Sequence, residues 1–226
     1  MRYNEYKSTS NRFLTYIPSH WKMKFAKVCF DENKCKNINN AEKLLLQFKY
    51  GTIVHKAIQD ADTISDDTYE KYTVVQPKDI VINGLNLNYD FVTKRIGMVK
   101  ERGIITSAYL VVRNKALLTP EYSTYLMKSF DGQKVFHGMG SGLRLTLSFS
   151  DFAKMQFPIP PREEQDQIVR YLDWKVSQIN KMIHGYQKQI NLLEERKRTL
   201  VDKAVTKGID PNAEMKESGI YWIGKR

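Results

Sequence analysis

The chain has 226 residues, 42% of them hydrophobic, with 36 lysines and arginines against 25 acids for a net charge of +11. That is enough for one sizeable domain plus something more, with no apolar run near the roughly 18 residues of a membrane span. The opening MRYNEYKSTSNRF has no apolar signal core, and two cysteines with four scattered histidines make no metal-binding spacing, so nothing suggests a membrane span, export or a zinc finger, and a cytoplasmic chain is expected.

The positive charge is uneven. Before Pro158 there are 23 basic and 15 acidic residues, and 13 and 10 from there on. Each phosphate contact releases counterions, so a basic N-terminal part suits a nucleic-acid partner; a basic protein without such a partner fits the same count.

In chain order, the first strong signals are DIVI (Asp79 to Ile82) and AYLVVR (Ala108 to Arg113), β-branched runs of the kind buried strands show. TPEYSTYLMKSF follows, with Thr119 as N-cap and Pro120 at the first helical position, predicting a helix. LRLTLS alternates Leu143, Leu145 and Leu147 with Arg144 and Thr146, the period of a half-buried strand. Ser150 and Asp151 before FAKM predict one more short helix. Polar loops lie between: QDADTISDDTYEKY, NGLNLNYD and HGMGSG. The first part is thus an α+β domain.

At FPIPPREEQDQIV the pattern changes. Pro160 and Pro161 end any preceding helix and can open a new one, and Glu163, Glu164 and Asp166 suit the positive end of its dipole. Then Val169, Leu172, Val176, Ile179, Ile183, Tyr186, Ile190, Leu193, Leu200 and Ala204 follow an alternating 3,4 spacing broken only by Lys197. Such a seam predicts a coiled-coil helix that needs a partner; packing along its own domain is the rival arrangement. Gly208 and Pro211 stop it.

Together these blocks resemble the specificity subunits of Type I restriction-modification enzymes. Pro158, Pro160, Pro161, Glu164, Gln165 and Ile168 match that family's passage from a target recognition domain into a spacer helix. Lys207, Gly208, Pro211, Met215, Lys216, Ser218, Gly219, Ile220, Trp222, Ile223 and Gly224 match the first half of its join to a following recognition domain. Ile17, Pro18, His20 and Trp21 match the second half, at the other end of the chain. Trp21 and Trp222 are expected to pack at the helix base rather than touch DNA. The resemblance implies a recognition domain over 1–157, a spacer helix over 158–207 and a linker over 208–226 resembling the start of a second recognition domain. It further implies an antiparallel homodimer through the spacer helices.

If DNA is read, donors and acceptors must reach base edges from loops on a rigid sheet, with basic side chains on phosphates. NGLNLNYDF offers Asn83, Asn86, Asn88 and Tyr89, although Asn-Gly is equally a turn signal. TKRIGMVKERG supplies Lys94, Arg95, Lys100 and Arg102 for phosphates, or a solvated hairpin. HGMGSGLR, where glycines let backbone approach closely, supplies His137, Ser141 and Arg144. No chemistry is expected from this chain. IPPR is neither a methyltransferase motif nor a glycine-rich cofactor loop, and Glu214-Met215-Lys216 lies in a linker rather than on a nuclease strand. The resemblance places S-adenosylmethionine on modification subunits, and ATP and Mg on a restriction subunit, as partners beside double-stranded DNA.

Overall fold

The valine and isoleucine runs form a sheet covered on both faces, which is why they read as continuous apolar stretches. In this computed structural model the described residues are 3–56, 66–92, 94–143, 145–210, 212, 214, 217 and 219–221. They begin with β1 (Tyr6–Ser8) and β2 (Tyr16–Pro18), an antiparallel pair. Next come β3 (Lys22–Phe25), a single turn α1 (Ala26–Cys29) and β4 (Phe30–Glu32). β5 (Leu46–Lys49) and β6 (Thr52–His55) form a hairpin. Its two turn residues, Tyr50 and Gly51, both have positive φ (48° and 77°), the mirror-image turn that matches strand twist.

After α2 (Asp66–Glu70) the chain lays down β7 (Thr73–Val75), β8 (Ile80–Ile82), β9 (Ile96–Met98), β10 (Gly103–Ile105) and β11 (Leu110–Asn114). Helix α3 (Pro120–Gly132), the turn α4 (Phe149–Phe152), β12 (Gln156–Ile159) and the long α5 (Arg162–Lys207) complete the elements. The central sheet runs β4-β11-β8-β9, all antiparallel. Alternation along β8 sends Ile80 and Ile82 into one core and Val81 into another. The first core adds Met127 and Phe130 of α3 to a ring cluster in which Phe157 meets Phe30 at 5.1 Å, Phe130 at 5.5 Å and Phe152 at 5.7 Å, all edge-on. The second closes with Leu46, Phe48, Val75 and Ile105.

The cap of α3 forms as expected: Thr119 Oγ1 accepts from the Tyr122 amide at 3.2 Å. Three expectations change. The second short helix is capped by Ser148, not Ser150, through a bond from the Asp151 amide to Ser148 Oγ. Among the described residues no strand forms from Leu143. That residue is 91% exposed in a turn, Leu145 sits at φ 39°, and only Leu147 of the three is buried. Alternation alone does not make a strand where no neighbouring edge offers a full ladder: Ser141 and Thr146 pair only with each other. Third, the helix expected from Pro158 starts at Arg162, because Pro158 lies in β12, opposite Met23 of β3. An edge pairing of this kind tolerates proline.

The foot of α5 is tied to the globular part by two adjacent side chains. Gln165, 2% exposed, donates to the carbonyls of Leu117 and Pro160 and accepts from the Thr119 amide. Glu164 receives Tyr3 Oη and Trp21 Nε1, each at 2.9 Å, and contacts His20 Nε2 at 2.6 Å. Burial pushes the Glu164 carboxyl up, but the bonds from Trp21, His20 and Tyr3 outweigh it and hold it below the usual carboxylate range. Trp21 thus packs at the helix base; Trp222 lies outside the described residues.

Contacts divide the chain into two units, Met1–Arg170 and Tyr171–Arg226. Val169, expected in the seam, packs instead against the main core together with Ile168, and Leu172 is half-buried. In the second unit Val176, Ile179, Ile183, Tyr186, Ile190, Leu193 and Leu200 are all exposed, as is Ala204. Gly208 follows the helix at φ 74°. Among the described residues no helix is long and apolar enough to cross a membrane.

Candidate nucleic-acid interface

The loop between β8 and β9 is built around Arg95. Expected among the phosphate contacts, Arg95 is 0% exposed and cannot serve as one. Its guanidinium donates to the carbonyls of Asn83 (2.9 Å), Leu85 (2.8 Å) and Asp90 (2.5 Å), gathering three points of the loop onto one planar fork. Burial lowers its affinity for the proton, opposed by Asp90 and Asp131, and Asp131 Oδ2 also accepts from the Arg95 amide.

Held this way, the loop has defined local turns. Asn83 Oδ1 accepts from the Leu85 amide, so its side chain makes a turn rather than reading a base. Asn86 adopts φ 52° and remains exposed. Asn88, half-buried, donates its amide to the Leu143 carbonyl at 3.2 Å. Tyr89 projects 71% exposed, with Phe91 and Val92 beside it in sequence and also exposed.

The second expected loop joins the first. The Leu87 amide bonds the Leu145 carbonyl, and the Leu147 amide bonds the Gly84 carbonyl. Gly84 permits this closeness: a Cβ there would stand 2.6 Å from Leu147 Cβ. His137 stacks on Phe91 with centroids 4.6 Å apart, and its Nε2 lies 3.0 Å from the Asp90 carbonyl oxygen. His137 is therefore half-buried support, whereas Ser141 and Leu143 are exposed. Arg144 lies outside the described residues.

Beside these loops runs a basic edge. Lys94 and Lys100 are exposed, and the tip of the β5–β6 hairpin abuts the first of them, a Cβ at Gly51 falling 3.0 Å from Lys94 Cβ. Lys128 of α3 belongs to the same edge: desolvation of its ammonium, then repulsion from Lys94 and Lys100, lower its pKa. Arg102 is exposed but engaged with Glu42 at 2.8 Å, a bond that holds the Glu42 carboxyl below its ordinary range. Sequence reasoning missed Lys128, because a lysine on a helix gives no local sign of the distant surface it joins. Among the described residues no cluster of histidine, cysteine or acids could hold a metal.

A family model described as the Type I restriction modification DNA specificity domain matches residues 26–192, which takes in both loops, the basic edge and most of α5. The chain belongs to this family. Among curated specificity-domain proteins it is similar to the Type I restriction enzyme MjaVIII specificity subunit of Methanocaldococcus jannaschii, 25% identical over 160 residues, or 70% of this chain and 36% of that one. The chain thus spans about a third of that relative. Two solved structures share the fold at 16% identity. The HsdS subunit from Thermoanaerobacter tengcongensis superposes with a TM-score of 0.54 over 90% of this chain and 48% of that one. A chain from a study of assembly and conformational transition in the type I R-M system gives 0.61 over 83% and 46%. Specificity-domain architecture here therefore means a mixed sheet-and-helix unit followed by one long helix.

Proposed function

We propose that this chain is the DNA-reading part of a Type I restriction-modification system and binds one half of a bipartite target. The observation that carries this is a polar loop gathered by Arg95 and joined to a second one through the Leu87–Leu145 and Leu147–Gly84 backbone bonds, with Lys94, Lys100 and Lys128 alongside. Preordered loops lose little entropy on binding, and lysines flanking them supply phosphate contacts that position without specifying. Asn86, Tyr89 and Ser141 are the exposed groups suited to base edges. The chain performs no chemistry in this reading. Modification subunits supply S-adenosylmethionine and methyl transfer, and a restriction subunit supplies ATP- and Mg-dependent cleavage.

The exposed seam from Val176 to Ala204 supports pairing with a second copy as an antiparallel two-fold dimer. An apolar stripe of this length left in water is unfavourable, and its 3,4 period fits another such helix. Methylation mapping of DNA from cells with and without the chain, each with its modification subunit, tests the whole reading. A methylated motif that depends on the chain is expected. An unchanged methylation map would contradict the proposal and favour a coiled-coil adaptor without DNA.

A further inference from the structure

Beyond the loops, the globular unit has a second basic feature. The turn between β1 and β2 faces the end of α3 and the start of β12 across an open cleft of about 730 Å³. Arg12, Lys134 and Lys154 line it together with Phe130 and Met139, and among the described residues no acid does. Arg12 and Lys154 are exposed. Among the described residues no acid lies in ion-pair range of Arg12 or Lys134, and Lys154 has only Asp151, at 3.9 Å. Three cations lining one cleft with so little neutralisation make it a favourable place for an anion.

Lys134 says which anion. Its ammonium donates to the Phe91 carbonyl, and Phe91 is the ring stacked on His137 beside the loop cluster. One wall of the cleft is therefore continuous with the surface that meets base edges. An ammonium has three donors, so two remain for a ligand after the bond to Phe91. We propose that this cleft holds the phosphodiester backbone of the duplex next to the half-site. The inference rests on the reading that the loops engage DNA, and it adds Arg12, Lys134 and Lys154 as phosphate contacts. Lys134 contributes from the side of the loops, where it bonds the Phe91 carbonyl.

The test uses the full chain and a mixed-sequence 30-base-pair duplex, with dissociation constants measured across a salt series. Each phosphate contact contributes about 0.9 to the slope of log affinity against log salt. The Arg12→Gln, Lys154→Gln double variant should therefore bind with a slope shallower by roughly 1 to 2, with an unchanged melting temperature. Arg12→Lys should keep the original slope, and Lys188→Gln on the second unit should not change it. A wild-type slope in the double variant would overturn the cleft assignment while leaving the loop reading intact. So would tight binding of pyrophosphate with an unaltered DNA slope, which would mark the cleft as a small-anion site. Failure of the unaltered chain to bind duplex even at low salt would remove both readings together.

Discussion

Lys94 and Arg95 are neighbours in the chain with opposite fates, and the difference is chemical. Lys94 keeps its charge in water, whereas Arg95 is enclosed and its planar fork satisfies three carbonyls at once. Lysine could not replace that geometry. Arg95→Met should leave the carbonyls of Asn83, Leu85 and Asp90 without their donor and cost about 2–4 kcal/mol of stability, read as a lowered denaturation midpoint. Lys94→Gln should leave the midpoint unchanged and make DNA binding less salt-sensitive by about one contact. A stable Arg95→Met protein would mean the loop is held by other bonds. Glu164 gives a pH prediction at the same scale. Its folded pKa is depressed, so its three bonds contribute stability above the ordinary carboxylate pKa, and that contribution is lost as pH falls through the folded value. Glu164→Gln should therefore be less stable than the natural chain at pH 7, by about 1–2 kcal/mol. The gap should close progressively in melts below about pH 4.5, and a constant gap would mean the carboxylate charge is not what matters.

Among the elements, α5 divides by what its residues meet. Its first turn is bound through Glu164 and Gln165, and Ile168 and Val169 rest on the main core. From Val176 onward the described residues of the apolar seam are exposed. A helix of 46 residues is about 69 Å long, and propensity alone does not hold such a length firmly in water. Ile183, 60% exposed at mid-seam, is the place to test its partner. Ile183→Asp should abolish self-association in sedimentation while the globular unit keeps its melting transition, because a charge buried in a paired seam costs several kcal/mol. An unchanged oligomer would mean the seam is not the interface. The hairpin tip teaches the complementary lesson. Tyr50 and Gly51 form only a two-residue turn, yet its tip lies against Lys94 while Phe48 and Ile53 behind it pack against Gly97 of β9.

For the whole molecule, two identical readers related by a two-fold axis would see the same half-site on opposite strands. If paired helices set their separation, inserting one heptad of seven residues after Ile183 keeps the seam in register and lengthens each helix by about 10 Å. The unread spacer of the target should then grow by about three base pairs, at roughly 3.4 Å each, while both half-sites stay the same. Methylation mapping of the insertion variant reads this directly. A changed half-site, or an asymmetric target from this chain alone, would contradict a symmetric ruler.

Two strands of the central sheet, the capped helix α3 and the long helix were legible in the chain because periodicity and caps are local, whereas the alternation from Leu143 gave a strand signal that the fold does not use. DIVI, AYLVVR, Thr119-Pro120 and the 3,4 seam each carry their signal within a few residues. The motif residues His20, Trp21, Glu164 and Gln165 were legible too, though not their meeting. Bonds across more than 140 positions form only once the globular part has closed. Tertiary structure alone decided that Arg95 is internal, that Leu143 stands in water, that Val169 belongs to the core and that Lys128 joins Lys94. The reason is common to all four. Burial and electrostatic neighbourhood depend on which distant surfaces come together, and residue type at one position does not encode that.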